Sequence, residues 1–250
     1  MRIIYEPRGR ALEYAPLAVS LYRGCSHGCT YCFAPESTKT DREKFMEPYA
    51  RKNALSLLKK DCEELQRAKD KRNILMSFTT DPYQPLDRSL GLTRKAIEIF
   101  IEYSRPFDIL TKGGIQSMRD FDLLASRPDL CHYATTLTCC LPETEKEWEP
   151  NAASWGERVE ALREAKRWGI PTWASIEPII DPWQSRYLIA ETLGCVDLYK
   201  IGKMNHIDPG FPEESLFEFV KSIKYILEST KKQHIFKKDL QPYLKEAHHA

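Results

Sequence analysis

The pattern that most restricts the fold of this chain is a sixfold alternation between short apolar segments and longer helix-type segments. The apolar segments carry β-branched or aromatic residues between turn residues, as buried parallel strands do. They are residues 17–22, 73–78, 107–111, 132–138, 171–176 and 196–201. Helical periodicity follows them at residues 50–68, 92–103, 115–126, 154–168, 182–193 and 213–229. Such alternation requires right-handed crossovers and a parallel sheet.

A parallel sheet of this kind is either open and doubly wound or curled into a barrel. Six units are fewer than the eight of a full barrel, and 250 residues without an internal linker fit one domain. We therefore predict an α/β fold, a partial (β/α)6 TIM-type barrel. Its core is residues 17–230, preceded by an N-terminal segment, 1–16, and followed by a short C-terminal tail, 231–250. Functional side chains are expected at the carboxyl ends of the strands.

Charge and cysteine content exclude several classes of protein. The chain has 37 basic and 36 acidic side chains, so bulk electrostatic binding of nucleic acid is disfavoured, although a local basic groove stays open. The eight cysteines do not suggest a secreted disulfide framework, which is typical of chains too small to form a core. Charges and proline interrupt residues 1–10, and no segment approaches a membrane span. We expect a cytoplasmic protein with free thiols and no membrane association.

Three cysteines lie close together in a glycine-containing loop directly after the first predicted strand. Cys25, Cys29 and Cys32 have the spacing C-x3-C-x2-C, with Gly24 and Gly28 between or beside them. Short spacings on such a loop allow several thiolates to face one metal centre. Unrelated thiols, or a zinc site completed by His27 or a distant cysteine, are the alternatives. Three ligands leave one metal position open, which favours an iron–sulfur cluster that binds a substrate or cofactor.

These residues resemble the motif of radical S-adenosylmethionine enzymes, in which an aromatic residue, here Tyr31, precedes the third cysteine. In that family three thiolates hold a 4Fe–4S cluster, and the fourth iron binds the methionine moiety of S-adenosylmethionine. Reductive cleavage gives methionine and a 5′-deoxyadenosyl radical that abstracts hydrogen from a substrate. The resemblance implies these two cofactors, a partial barrel, and reduced flavodoxin or ferredoxin as electron donor. It also implies that Tyr31 and Phe33 contact S-adenosylmethionine.

Two further segments narrow the resemblance to the branch related to spore photoproduct lyase. They are Ser77-Phe-Thr-Thr-Asp-Pro-Tyr-Gln-Pro85 and Thr111-Lys112, each after a predicted strand. With the resemblance, Thr80 and Asp81 are expected to bind the amino group of S-adenosylmethionine, although an Asp-Pro turn with a local hydrogen bond is the simpler alternative. Lys112 is expected to bind the carboxylate; the alternative is a solvated loop lysine.

Three residues near later strand ends are further candidates. Glu177 follows the fifth strand and is expected either to contact substrate or ribose or to cap the next helix. Cys139 and Cys140 are candidate hydrogen donors to a substrate radical, or else small buried residues. In spore photoproduct lyase the donor cysteine directly precedes the Thr-Ser-Asp motif, and Phe78 occupies the matching position here. This difference argues against repair of thymine dimers by the thiol route.

The sequence therefore predicts a radical S-adenosylmethionine enzyme with one cluster on Cys25, Cys29 and Cys32. Its substrate is either a nucleic-acid base or lesion, or a small molecule or peptide. The alternative from another functional class is a non-catalytic iron–sulfur or zinc-binding protein.

Overall fold

The computed structural model describes residues 2–204 and 207–246. Strands in this part of the chain include the six predicted ones, with ends shifted by a few residues. They are β1 Ile4–Tyr5, β2 Leu17–Val19, β3 Tyr22–Arg23, β4 Tyr49–Ala50, β5 Ile74–Met76, β6 Phe107–Thr111, β7 Cys131–Thr136, β8 Thr172–Ile179, β9 Leu198–Lys203 and β10 Gln233–Phe236.

The helices of the described residues pack against the outside of the sheet or cross its ends. The α-helices are α1 Ala34–Ser37, α2 Arg42–Phe45, α3 Ala54–Arg67, α4 Pro85–Leu90, α5 Leu92–Glu102, α6 Phe121–Ser126, α7 Pro142–Trp148, α8 Trp155–Arg167, α9 Pro182–Thr192, α10 Glu213–Ser229 and α11 Gln241–Glu246. Short 3-10 helices cover Gly9–Glu13, Gly114–Asp120 and Lys238–Leu240. None of the helices described is both long and apolar enough to span a membrane.

The main sheet has the strand order β1-β2-β5-β6-β7-β8-β9-β10 within the described residues. All its neighbouring pairs are parallel except β1 with β2. In a flat sheet, five spacings of about 4.8 Å would separate β2 from β9. Nevertheless the carbonyl oxygen of Tyr14, just before β2, accepts a hydrogen bond of 2.9 Å from Lys200 on β9. The sheet is therefore curled, and the predicted partial barrel is confirmed.

Several predicted helix boundaries differ from the structure for local reasons. The helix expected from residue 50 begins at Ala54, because Tyr49–Ala50 pairs with Tyr22–Arg23 as a two-stranded ribbon. The segment 115–126 is a 3-10 turn followed by α6 rather than one helix. The segment predicted as a tail, 231–250, contributes β10 beside β9. Its residues 247–250 lie outside the described part of the chain.

Helix α8 shows how local sequence sets an element that later bears on the site. Ser154 caps its first turn: its side chain accepts a hydrogen bond from the backbone of Glu157, and the Glu157 carboxylate bonds back to the Ser154 backbone. This reciprocal arrangement is the expected capping box. Gly169, at φ +74°, follows the helix end in a conformation that glycine adopts without steric cost.

Apolar packing differs between the two faces of the sheet. The large core lies between the sheet and the helices, with Phe100, Tyr133, Ile189 and Phe219 among its fully buried members. Inside the barrel the buried apolar group is much smaller. It consists of Ala15, Leu75, Ala134 and Trp173, with Tyr14 and Phe78 packed against it. The interior consequently contains polar and charged side chains, and these must find partners there.

Contacts between the two chain ends close the lateral gap of the barrel, and we call this contact region the seam. Arg10 forms an ion pair with Asp239, and the carboxylate of Glu13 accepts a hydrogen bond of 3.0 Å from the backbone of Lys238. The N-terminal 3-10 helix thereby contacts the residues just after β10. Side chains of the segment before β2 connect it with the residues that follow β10.

Tyr14 is the centre of the seam. Its hydroxyl donates a hydrogen bond to Glu177 and lies 2.7 Å from the hydroxyl of Ser175, both on β8. The ammonium of Lys237 lies 3.2 Å from the Tyr14 ring centroid and also contacts the Glu177 carboxylate. Burial lowers the pKa of Lys237 and raises that of Tyr14. The three groups form a compact polar cluster inside the barrel.

Replacing Tyr14 should separate the contribution of its hydroxyl from that of its ring. Tyr14→Phe should lower the free energy of unfolding by about 1 kcal/mol, because Glu177 keeps Lys237 as a partner. Tyr14→Ala should cost about 3 kcal/mol through the cavity it leaves. Denaturant unfolding measures both, and Tyr225→Ala, at a side chain 74% exposed, is the control with almost no change. Equal losses for Tyr14→Ala and Tyr225→Ala would contradict the seam's contribution.

Candidate active site

The three clustered cysteines lie on the loop between β3 and α1, at the carboxyl end of β2. All three are free thiols; Cys29 is buried, and Cys25 and Cys32 are partly exposed. Gly24 begins the loop at φ +78°, and a Cβ there would lie 2.5 Å from the backbone oxygen of Phe45. Only glycine fits both the conformation and the close approach at this position.

Hydrogen bonds from the next strand end fix the start of this loop. The Gly24 carbonyl accepts a bond of 2.6 Å from the Thr80 hydroxyl, and the Gln84 side-chain oxygen accepts one of 3.3 Å from the Ser26 backbone. The backbone of Cys25 donates to the Phe45 carbonyl at 2.9 Å. The loop conformation is thus maintained by side chains that follow β5.

The remainder of the loop is held by α2 and by the segment after α7. The guanidinium of Arg42 donates to the carbonyls of Cys29 and Cys32 at 3.0 and 3.1 Å. The Thr30 backbone donates to the Trp148 carbonyl at 3.0 Å, and the Asn151 backbone donates to that of His27 at 3.1 Å. These bonds use the backbone of the loop and leave the thiols available as ligands.

The donor set fits a cluster better than a single metal ion. Within residues 2–204 and 207–246, no three His, Cys, Asp or Glu side chains are arranged to hold one ion. In a 4Fe–4S cluster each thiolate binds a different iron, so the three sulfurs need not converge on one point. The Ser26 hydroxyl is buried without a hydrogen-bond partner beside Cys25. It can donate to an acceptor bound within the loop.

His27, the candidate fourth zinc ligand, lies beside Asp81. Its side chain is buried, and Nδ1 lies 3.7 Å from Oδ2 of Asp81. Burial lowers the pKa of His27, so its ring is neutral at pH 7. Burial also raises the pKa of Cys29 to about 12. Thiolates at this depth therefore need positive charge nearby, which the irons of a bound cluster would supply.

Thr80 and Asp81 lie at the predicted edge of the sheet and connect β5 with β6. Asp81 Oδ1 accepts bonds from the Tyr83 backbone at 2.8 Å and the Thr111 hydroxyl at 2.6 Å. Its Oδ2 accepts one of 2.7 Å from the backbone of Lys112. The bond to Tyr83 is the local Asp-Pro turn. The other two tie the end of β6 to this turn.

Lys112 and Tyr31 lie against each other beside the cysteine loop. The Lys112 ammonium is 5.4 Å from the Tyr31 ring centroid and 3.9 Å from Oε1 of Glu149. The Tyr31 hydroxyl donates to Glu149, and its ring stacks on Trp148. Burial lowers the pKa of Lys112, but the charges of Cys29 and Glu149 together raise it above its ordinary value. Lys112 is therefore a cation at the rim.

Glu149 and Arg158 form the buried base of this arrangement. Arg158 Nη1 lies 2.5 Å from Oε2 of Glu149, and both side chains are almost completely buried. Arg158 also donates to the carbonyls of Ala153 at 2.7 Å and Thr136 at 3.1 Å. Although burial raises the pKa of Glu149, the charges of Arg158 and Lys112 hold it below its ordinary value. Glu149 is thus a carboxylate that joins the cysteine loop, β6 and α8.

Residues 19–181, more than half of the chain, match the family described as the Radical SAM superfamily. The chain belongs to the radical S-adenosylmethionine superfamily. Enzymes of this superfamily use a 4Fe–4S cluster and S-adenosylmethionine, and the matched range contains all three clustered cysteines together with Asp81, Lys112 and Glu149.

Sequence relatives of the chain include several uncharacterized proteins. One, from Methanocaldococcus jannaschii, is 28% identical over 193 residues, which is 76% of this chain and 71% of that protein. A protein of Acidianus two-tailed virus is 27% identical over 221 residues, covering 84% of this chain and 70% of its own length. One from Mycobacterium bovis is 25% identical over 184 residues, 70% of this chain. The chain spans about half of that relative, 52%.

Solved radical S-adenosylmethionine structures share the fold. A variant of spore photoproduct lyase superposes with a TM-score of 0.70 at 13% identity, covering 91% of this chain and 78% of that one. SuiB from Streptococcus suis, bound to its precursor peptide SuiA, gives 0.67 at 12% identity, covering 92% and 50%. These likenesses establish the architecture, including the partial barrel.

Within the superfamily fold, the remaining predicted site residues are dispersed. Phe33, adjacent to Cys32, is 49% exposed and precedes α1. Glu177 lies in the seam with Tyr14 and Lys237. Its side chain packs over Gly202, where a Cβ would come within 2.7 Å of Glu177 Cδ. The alternative role of Glu177 as a helix cap is not what the structure shows, because Asp181 caps α9.

The two candidate hydrogen donors have different surroundings. Cys140 packs in the large core outside the sheet, and its backbone donates to Gln184 at 2.8 Å. Cys139 is completely buried, with its sulfur 3.6 Å from the Thr138 hydroxyl. Phe78, in the position of the lyase donor cysteine, packs edge-on against Tyr14 inside the barrel. Of these three residues, Phe78 is the one placed with the interior apolar group.

Sequence reasoning missed Gln84, Glu149 and Arg158, which belong to the site. Gln84 lies inside the segment that resembles the lyase motif, so its polar side chain after the Asp-Pro turn was an available signal. Glu149 ends α7, a short helix outside the six-unit pattern, and Arg158 occupies the second turn of α8. Only tertiary contacts distinguish these two from the many exposed charges of the chain.

Gly24→Ala should destabilise the cysteine loop by more than the cost of a left-handed backbone conformation alone. A left-handed alanine costs about 1–2 kcal/mol, and the contact with the Phe45 oxygen adds to this. Gly169→Ala is the matched control, since φ is +74° there and nothing lies within 4 Å of the added Cβ. We expect lower iron content after anaerobic reconstitution for Gly24→Ala only. Equal iron content in both variants would contradict the constraint at Gly24.

Proposed function

We propose that this chain holds a 4Fe–4S cluster on Cys25, Cys29 and Cys32 and cleaves S-adenosylmethionine reductively. The observation that carries the proposal is the loop itself: three free thiols at the carboxyl end of the first barrel strand, with the loop backbone bonded by Thr80, Gln84 and Arg42. When bound, the two cofactors would supply the radical chemistry of the family, in which a 5′-deoxyadenosyl radical abstracts hydrogen from a substrate. The protein supplies orientation, charge and exclusion of water.

Residues around the loop are suited to the methionine moiety. Lys112 presents an ammonium beside the loop for a carboxylate. Asp81 accepts three close hydrogen bonds, and a carboxylate has about four lone-pair sites. One site thus remains for an ammonium group. Thr80 contributes by fixing Gly24, and Tyr31 and Phe33 flank the third cysteine for contact with the cofactor.

Cys29→Ala should abolish S-adenosylmethionine cleavage, because two remaining thiolates cannot hold the cluster with its open iron. The measurement is 5′-deoxyadenosine formed with dithionite after anaerobic reconstitution, alongside iron and sulfide analysis. Wild type should contain about four irons and four sulfides per chain. Cys62→Ala, at a buried cysteine outside the loop, is the control and should retain the product. Product formation by Cys29→Ala would refute the proposal.

The non-catalytic alternative gives different results in the same assay. Zinc in place of iron, or a redox-active cluster that leaves S-adenosylmethionine intact, would support it. The family match favours the catalytic proposal. Reduced flavodoxin or ferredoxin is the proposed physiological donor, since the cluster needs a low-potential electron.

For the substrate we propose a nucleic-acid base. The lyase-like segment 77–85 supports this class, and a structure of spore photoproduct lyase contains a dinucleoside spore photoproduct. Phe78 at the donor position argues against the thiol route of that enzyme. The precursor peptide bound to SuiB represents the competing class.

Deuterium transfer should identify the substrate class. Oligonucleotides labelled at the base or the sugar should pass deuterium into 5′-deoxyadenosine, measured by mass spectrometry, because hydrogen abstraction creates that C–H bond. Unlabelled oligonucleotide is the control for isotope background. Transfer from labelled peptides, with none from any labelled oligonucleotide, would overturn the nucleic-acid assignment.

A further inference from the structure

We infer that Glu149 is a positioning residue that sets the charge beside Cys29 and orients Tyr31 and Lys112 toward the cofactors. The inference rests on the proposed function and adds a residue outside the cysteine motif. The partners of the Glu149 carboxylate are Tyr31, Lys112 and Arg158. It acts through the side chains bonded to it.

The contacts of Glu149 link three separate parts of the site. Oε1 accepts the Tyr31 hydroxyl from the cysteine loop and lies 3.9 Å from the ammonium of Lys112, after β6. Oε2 lies 2.5 Å from the guanidinium of Arg158 on α8. The neighbouring residue Trp148 accepts a backbone bond of 3.0 Å from Thr30, between Cys29 and Cys32. The segment that carries Glu149 is therefore attached to the loop itself.

Positive charges outnumber negative ones among the side chains of Glu149, Lys112 and Arg158. Lys112 and Arg158 are two cations around the one carboxylate of Glu149, and the side chains of Glu149 and Arg158 are at most 1% exposed. In such surroundings charges act on neighbouring groups with little solvent screening. A positive neighbourhood favours the reduced, more negative form of a thiolate-ligated cluster. Net charge beside Cys29 is therefore a determinant of the reduction potential.

Removing a negative charge and removing a positive charge from this group should shift the reduction potential of the cluster in opposite directions. Glu149→Gln removes the carboxylate and leaves two cations, so the potential of the reconstituted cluster should rise. Arg158→Gln and Lys112→Gln each leave one cation with one carboxylate, so the potential should fall. A purely structural role predicts no such reversal, because loss of packing does not depend on the sign of the charge removed.

Tyr31→Phe tests orientation without a change in charge. It removes the hydroxyl bonded to Glu149 and keeps the ring that stacks on Trp148. We expect weaker binding of S-adenosylmethionine, by up to about fivefold if the full contribution of this hydrogen bond serves to orient the ring, with an unchanged reduction potential. Glu149→Asp keeps the negative charge on a shorter side chain. Its reduction potential should therefore lie closer to the wild-type value than that of Glu149→Gln.

The experiment is a redox titration of the reconstituted full-length protein, followed by electron paramagnetic resonance, with equilibrium binding of S-adenosylmethionine in parallel. A tenfold change in the reduction equilibrium corresponds to about 59 mV for one electron. We expect shifts of this size, upward for Glu149→Gln and downward for Lys112→Gln. Asp61→Asn is the matched control, and it should leave the reduction potential unchanged. Asp61 lies on α3, and its buried carboxylate accepts hydrogen bonds from the backbone N–H groups of Ile3 and Ile4.

Shifts of the same sign in the Glu149 and Lys112 variants, or unchanged potentials with intact clusters, would overturn the inference. If Glu149→Gln does not fold, Lys112→Gln and Tyr31→Phe decide it, since Lys112 lies at the partly exposed rim. Failure of the proposed function can be distinguished from failure of this inference. In that case the wild-type protein itself would lack the cluster or leave S-adenosylmethionine uncleaved.

Discussion

A loop that carries the three thiols proposed as cluster ligands cannot satisfy its own backbone by regular pairing, and this constraint organises the structure. Its carbonyls and amides need partners from elsewhere, because buried backbone groups without hydrogen bonds are costly. The partners come from Thr80 and Gln84 after β5, from Arg42 on α2, and from the segment after α7. Parallel strands place these segments together because their carboxyl ends share one edge.

The sequence allowed the sheet to be predicted because each of its six main strands has the same surroundings. Buried on both faces, such strands are continuous short apolar runs. Strand β10 was missed because Gln233–Phe236 has exposed and partly exposed positions at the sheet edge and lacks that pattern. Lys112 and Asp81 could be predicted at the carboxyl edge of the sheet because each follows one of these parallel strands. Their hydrogen-bond partners depend on the loop conformation, which periodicity does not specify.

The burial of Glu149 and Arg158 could not be predicted from sequence periodicity. A glutamate at the end of a short helix and an arginine in an amphipathic one are, in sequence, indistinguishable from solvated surface charges. Their burial follows from the attachment of the segment after α7 to the cysteine loop. Similarly, Glu177 was predicted at a strand end, but its pairing with Tyr14 and Lys237 depends on the curl of the sheet and on β10.

The seam has a consequence for the order in which the molecule is assembled during synthesis. Tyr14 is synthesised 186 residues before Lys200, which contacts its carbonyl, and earlier still relative to Lys237, which contacts its ring. Contacts of such long sequence separation form late. The cysteine loop and its partners through Arg158 are complete well before the barrel interior can close. A nascent chain therefore exposes its thiols and its polar interior together until Lys237 has been synthesised.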